Sequence, residues 1–224
     1  LDAIILGMHA RSDNPELLKA QELGLKIYSY PEFIFEKSKN KQRVVIAGSH
    51  GKTTITSMIL HVLKENNKNF DYLVGAQIEG FNYMARLSQA PVIVIEGDEY
   101  LASPVDRRSK FLLYKHHIAV VSGISWDHIN VFPTFEDYKL QFENFIKDTP
   151  KAGVLIYNEA DKQVTSIVKS LKREDIIKVP YTEHKSKVKD NKTYLVDGDN
   201  KYPVNFFGDH NMYNVQAAFE VCLK

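Results

Sequence analysis

The stretch from Arg43 to Leu63, RVVIAGSHGKTTITSMILHVL, admits few folds. Val44, Val45 and Ile46 form a short apolar run closed by a turn signal, the pattern of a strand buried on both faces. Gly48, Ser49, His50 and Gly51 make the turn. Ile55, Met58, Ile59, Val62 and Leu63 then recur at i, i+3, i+4, i+7 and i+8, which predicts one apolar face of a helix. A buried strand that feeds a glycine-rich turn and a helix commits the chain to an α/β fold with a central, mostly parallel sheet and flanking helices.

Gly51, Lys52, Thr53 and Thr54 stand where that helix begins. Unpaired N–H groups and the helix dipole favour an anion there. A lysine at this place reaches terminal phosphates, and the hydroxyl after it can hold magnesium. The general phosphate-loop pattern asks for a glycine five residues before the second one, but position 46 is Ile and Gly48 lies closer. A chance Gly-Lys-Thr at an ordinary strand-to-helix turn is the competing reading. The strand before it and the periodic helix after it argue for a nucleoside triphosphate site, with ATP and Mg2+ as the ligands.

A chain of 224 residues suits one large α/β domain, or one domain with a piece of another. A net charge of +1 without a single-sign block gives no argument for nucleic acid. One cysteine excludes an internal disulfide framework and fits a reducing compartment, so a cytoplasmic location is expected. No apolar run approaches the roughly 18 residues that span a membrane, so no membrane partner is expected. There is no signal-peptide pattern, but the chain begins at Leu1, and the natural N-terminus is expected to be absent.

Asp2–Leu6 reads as a strand, Asn14-Pro15-Glu16 opens a helix that stops at Gly24, and Leu25–Tyr28 is the next strand. This βαβ-like piece is expected to end near Pro31, with Lys37–Lys41 as a linker. Residues 1–40 are read as the tail of a truncated, Rossmann-like N-terminal domain, and 41–224 as the central domain. Tyr72–Gly75 and Pro91–Glu96 are strands, the second running into Glu96-Gly97-Asp98-Glu99. A carboxylate at the C-terminal end of a buried parallel strand lies on the edge where α/β sheets bind ligands. In a phosphate-loop enzyme such a residue holds magnesium. Glu96 is therefore the candidate ligand, while Asp98 and Glu99 stay open between ligands and surface acids.

Ile118–Val121 repeats the buried-strand pattern and is followed by Trp126-Asp127-His128. A lone histidine is often structural, but His128 shares an inferred sheet edge with Lys52 and Glu96, which makes it a candidate metal ligand. Thr134 with Asp137 reads as a capping box, and Tyr138, Phe142, Phe145 and Ile146 as a core-facing helix stripe. Gly153–Asn158, the helix of Val164, Ile167, Val168 and Leu171, and Ile176–Val179 continue the alternation. TYLVDGDNKYPVNFF then predicts a hairpin, a small antiparallel appendage, with the lysines at 185, 187, 189 and 192 on a solvated edge. A last helix follows Asn214, with Val215, Ala218, Phe219 and Cys222 on one face, so Cys222 is expected to be buried.

These residues resemble the Mur ligases of bacterial cell-wall synthesis over most of residues 1–224. Gly48-Ser49-His50-Gly51-Lys52-Thr53-Thr54 is similar to that family's phosphate loop, including its shortened glycine spacing. Glu96 matches its acidic strand end, Trp126-Asp127-His128 its Asp-His element, and His210-Asn211 through Asn214 its adenine-side motif. Within the family, Glu96–Tyr100 followed by Asp106-Arg107-Arg108-Ser109-Lys110-Phe111 most resembles the recycling branch. That branch joins UDP-N-acetylmuramate to the tripeptide L-Ala-γ-D-Glu-meso-diaminopimelate; the branch that adds L-alanine is the close second. Leu101, Ala102-Ser103-Pro104-Val105 and Asn130 depart from the pattern and leave the amine substrate open.

The resemblance implies a UDP-binding domain, a central ATPase and a substrate domain, the last of which is absent from this chain. It implies an ATP-dependent ligase forming a C–N bond through an acyl phosphate, with this chain alone inactive in ligation. Lys52 is then assigned to the β- and γ-phosphates, with the amides of Gly48 to Lys52 as their cradle. Thr53 is assigned to one magnesium ion, Glu96 and His128 to magnesium nearer the acyl phosphate, and Asn214 with His210 to adenine. The alternatives are a phosphate-loop kinase or hydrolase, a non-catalytic nucleotide-binding module, and, within the family, folate polyglutamylation.

Overall fold

Val45, Ile46 and Ala47 have no exposed surface, the condition of a strand covered on both faces. The structure, a computed structural model, describes residues 1–224. β1 (Ala3–Leu6), α1 (Pro15–Glu22), β2 (Lys26–Ser29) and α2 (Tyr30–Ser38) lead into β3 (Gln42–Ala47) and α3 (Lys52–Glu65). Next come β4 (Phe70–Leu73), β5 (Ala85–Arg86), β6 (Val92–Glu96), α4 (Lys110–Leu113), β7 (Ile118–Val121), α5 (Phe135–Lys147) and β8 (Val154–Asn158). The chain closes with α6 (Lys162–Ser170), β9 (Ile177–Tyr181), β10 (Ser186–Lys189), β11 (Lys192–Asp197), β12 (Asn200–Val204) and α7 (Asp209–Cys222).

The main sheet has the order β5-β4-β6-β3-β7-β8-β9 and is parallel except for β5. Register aligns Ile46 with Glu96 on one side and Ala47 with Val121 on the other. The C-terminal ends of β6, β3 and β7 therefore form one edge. β3 sends alternate side chains to opposite cores: Val45 and Ala47 join Phe111, Tyr138, Phe142 and Phe145, while Val44 and Ile46 join Ile55, Ile59, Leu60 and Ala218. The fold is thus α/β with helices on both faces, and β10, β11 and β12 form the small antiparallel sheet.

Several local expectations are corrected. Pro31 does not end the N-terminal piece; it stands in the first turn of α2, whose Ser29 and Glu32 make a reciprocal capping box. Nor is Lys37–Lys41 a linker. The helix runs to Ser38, and the buried Arg43 guanidinium donates to the Ser38, Lys39 and Lys41 carbonyls. Lys41 is itself buried, 2.9 Å from Asp71. The hairpin gains a third strand, β10, which pairs with β11. Asp137 accepts from the Thr134 hydroxyl at 2.7 Å while its N–H donates to that oxygen at 3.1 Å, a cap within one pair of residues.

Two helix faces are rotated from expectation. α7 buries Met212, Asn214, Ala217, Ala218 and Val221 and leaves Phe219 and Cys222 exposed. α3 buries Ile55, Thr56, Ile59 and Leu60 and leaves Val62 exposed. In both helices small or polar residues face the sheet and a neighbouring helix, and α3 and α7 pack on each other. Polarity alone does not place such residues inside.

His116, between α4 and β7, is buried with Nε2 3.0 Å from Thr149 Oγ1 and its ring 4.3 Å from that of Phe145. Burial, with lesser contributions from His117, Lys115 and Arg43, pushes its pKa down to about 3. The unfolded chain binds a proton near pH 6.5 and the folded chain does not, so stability falls with acidity between those values. We expect a loss of up to about 1.4 kcal/mol per pH unit in that window. Urea unfolding at stepped pH should show a shallower loss for His116→Gln; equal slopes would contradict the assignment.

Candidate functional site

The sheet edge after β3, β6 and β7 is lined by three turns, Gly48–Gly51, Gly97–Glu99 and Ser122–His128. Gly51 caps α3 with φ 81°, and Gly48 has φ 137°. A Cβ at Gly48 would meet the Ser122 side chain and lie 3.0 Å from its backbone nitrogen, and one at Gly51 would meet the Asn214 amide. No side chain caps α3 and no acid stands in its first turn, whereas α1, α2, α5 and α6 are capped by Asn14, Ser29, Thr134 and Asp161. The N–H groups at the start of α3 are thus left for an external anion. α7 also starts on an uncapped glycine, Gly208 at φ 91°, but with Asp209 in its first turn.

These two helix starts share a cavity of about 320 Å³, lined by His50, Gly51 and Thr54 from one and by His210, Asn211 and Asn214 from the other. The expected adenine-side residues therefore stand beside the phosphate loop. Asn211 also donates to the Phe207 carbonyl at 2.8 Å, tightening the turn into α7. Tyr181 lines the same cavity, and its buried hydroxyl has no partner within the protein.

Lys52 and Thr53, between the cavity-lining Gly51 and Thr54, contact the charged groups. Lys52 Nζ donates to the Gly48 carbonyl at 2.7 Å and to Glu99 Oε2 at 2.9 Å. Glu99 has no exposed surface; its Oε1 accepts from the Tyr138 hydroxyl at 3.1 Å and faces His128 Nε2 at 3.3 Å. Thr53 Oγ1 donates to Glu96 Oε1 at 2.8 Å, and the Gly75 N–H donates to Glu96 Oε2 at 3.0 Å. His128 has φ 55°, a left-handed conformation that costs a non-glycine residue about 1–3 kcal/mol. Its ring stands edge-on to Tyr100, centroids 5.1 Å apart, and its backbone N–H donates to Asp127 Oδ1 at 2.7 Å.

Lys52, Thr53, Glu96 and His128 thus meet at one edge, but in two groups. Thr53 contacts Glu96, whereas His128 stands with Glu99. Asp98, Glu99 and His128 hold potential ligand atoms within 4.8 Å of one another. Burial alone would raise the Asp98 carboxyl, but Lys110 at 2.6 Å, the Tyr100 N–H and Lys52 overcome it, so Asp98 titrates below the usual range. The hydroxyl and carboxylates are hard oxygen donors and fit Mg2+; His128 adds a nitrogen. Ser49 turns away from the cradle, its Oγ 2.9 Å from the Tyr138 oxygen and 2.8 Å from the Ser125 carbonyl. Sequence reasoning left Glu99 open and read Tyr138 as core alone. Nothing in one sequence separates Glu99 from Asp98, because their difference is depth.

Residues 46–222 match the family description "Mur ligase middle domain". The chain belongs to the Mur ligase family. It is 33% identical to UDP-N-acetylmuramate–L-alanine ligase of Caldicellulosiruptor bescii, across all of this chain and 50% of that protein. The counterpart in Caldicellulosiruptor saccharolyticus is 35% identical over 93% of this chain and 47% of its own length. The chain spans about half the length of the curated relatives it matches. Among solved structures, the UDP-N-acetylmuramate:L-alanyl-γ-D-glutamyl-meso-diaminopimelate ligase of Neisseria meningitides superposes with a TM-score of 0.83 at 25% identity. That match covers 99% of this chain and 74% of the other.

Gly51→Ala is the sharpest test of the phosphate loop's backbone. A side chain in the left-handed region costs about 1–2 kcal/mol before the clash with Asn214 is added. The melting temperature should fall by at least roughly 2–4 °C. An unchanged melting temperature would show that the turn does not have this conformation.

Proposed function

We propose that this chain carries the ATP-binding and phosphoryl-transfer part of an ATP-dependent amide ligase acting on UDP-N-acetylmuramate. The observation that carries this reading is the meeting of Lys52, from an uncapped phosphate loop, with the buried Glu99 and His128 at one sheet edge. In this reading residues 1–40 belong to the UDP-binding domain and 41–224 to the ATP-binding domain, and the amine-receiving domain is not among residues 1–224. By itself the chain binds nucleotide without completing the amide. No helix is long and apolar enough to cross a membrane, and a cytoplasmic location follows from the nucleotide substrates proposed here.

The amine is the tripeptide L-Ala-γ-D-Glu-meso-diaminopimelate. Two features support it: the Asp106–Phe111 stretch beside the site, and the structural likeness to the Neisseria ligase named for that substrate. L-Alanine is the second reading, favoured by the sequence relatives that carry the L-alanine ligase name.

A carboxylate resists attack by an amine because its oxide is a poor leaving group. Transfer of the γ-phosphoryl group onto the muramoyl carboxylate releases ADP and gives an acyl phosphate. The amine nitrogen then attacks the acyl carbon, loses a proton and expels phosphate, forming the amide. The protein's part is positioning and charge cancellation. Amides from Gly48 to Lys52 cradle the phosphates, and Lys52 exchanges Glu99 for their oxygens. Thr53 with Glu96, and His128 with Glu99 and Asp98, would hold magnesium, which when bound supplies neutralisation of the phosphate charge. Asn214 and His210 orient the base.

Lys52→Ala removes the phosphate contact and also strands the buried Glu99 charge, at a stability cost of about 3 kcal/mol. Lys52→Ala combined with Glu99→Gln should recover much of that stability and none of the turnover in the full-length protein. Recovered turnover in the double variant would overturn the role of Lys52. Offering L-alanine and the tripeptide in competition, and weighing the product by mass, decides the amine.

A further inference from the structure

Helix α5 gives nothing to the phosphate cradle, yet its first turn carries a buried hydroxyl that touches both halves of the site. The Tyr138 ring has no exposed surface and packs edge-on against Phe132 and Phe142, centroids 5.5 and 5.2 Å away. That packing leaves the phenol one direction. Its oxygen is 2.9 Å from Ser49 Oγ, on the phosphate loop, and 3.1 Å from Glu99 Oε1. Ser49 Oγ in turn accepts the Ser125 N–H at 2.8 Å and reaches the Ser125 carbonyl at 2.8 Å. Ser125 directly precedes Trp126-Asp127-His128.

Proton count sets the direction of this chain. An ionised carboxylate only accepts, so the single phenolic proton goes to Glu99. Ser49 then has one proton to share between the Tyr138 oxygen and the Ser125 carbonyl. A shift of the phosphate loop at Ser49 is felt by Glu99 through Tyr138 and by the histidine loop through Ser125. The hold on Glu99 matters when phosphate arrives. Lys52 grips Glu99 Oε2 at 2.9 Å, and an incoming phosphate draws that ammonium away. The buried carboxylate then depends on Tyr138 and His128.

We propose that Tyr138 is a positioning residue that couples occupancy of the phosphate loop to the placement of Glu99 and of the loop carrying His128. The inference rests on the reading of the edge as a nucleotide site. A hydroxyl that served packing alone would stabilise the fold equally with and without ligand. A coupling hydroxyl acts on the link between nucleotide and magnesium.

Trp126 is the chain's one tryptophan, half exposed in the histidine loop with its indole N–H on the Phe132 carbonyl at 3.1 Å, so its emission reports that loop. Mg2+ and a non-hydrolysable ATP analogue are titrated into the chain and into Tyr138→Phe and Ser49→Ala, with binding followed by calorimetry and the loop by emission. Tyr138→Phe should still bind the analogue, with the Mg2+ midpoint raised about tenfold and the emission response diminished. Ser49→Ala should move both readouts in the same direction, which keeps the test decisive if one variant folds poorly. A Tyr138→Phe protein with the parent's midpoint and emission change overturns the coupling and leaves the nucleotide site standing. Failure of the parent chain to bind the analogue at all overturns both.

Discussion

A carboxylate without exposed surface cannot stay ionised unless other groups replace its water, and Glu99 is such a carboxylate. Lys52 supplies the opposite charge, Tyr138 a hydroxyl proton, and His128 a ring nitrogen. Each arrives on a different segment: the start of α3, the first turn of α5, and the turn after β7. To satisfy one buried charge, the fold must bring all of them to one place. That requirement makes the sheet edge a site as well as a rim.

Strand order makes the convergence possible. β3 lies between β6 and β7, so the loops that follow these parallel strands leave the sheet side by side. Register fixes the depth, with Ile46 beside Glu96 and Ala47 beside Val121. Glycine fixes the turn. Gly48 and Gly51 hold positive φ where a Cβ would strike Ser122 and Asn214, and the uncapped start of α3 follows from that turn. Buried apolar residues on both faces keep β3 rigid, and a rigid strand fixes where the turn that follows it begins.

The main sheet was legible because its strands are buried runs and the helices between them are periodic. Arg43–Leu63, Pro91–Glu96, Ile118–Val121 and Gly153–Asn158 carry that signal without ambiguity. Helix α2 was missed because Pro31 and the lysines after it read as punctuation, although Ser29 and Glu32 already spelled a capping box. The buried faces of α3 and α7 were misread because Thr56, Asn214 and Ala217 pack inside while Val62 and Phe219 do not. That Lys52, Thr53, Glu96 and His128 come to one sheet edge was visible from their places at strand and helix ends. Their grouping was not, since which acid meets which partner depends on loop depth. Glu99 and Tyr138 are the cost of that, one open and the other filed with the core.

The most direct measurement is a crystal structure of the chain grown with a non-hydrolysable ATP analogue and Mn2+, whose anomalous scattering marks the ion. Phosphates should lie on the amides of Gly48 to Lys52, with Lys52 Nζ moved from Glu99 onto their oxygens. An anomalous peak should stand at Thr53 and Glu96. An analogue bound away from the turn, or phosphates in the turn with Lys52 still on Glu99, would contradict it.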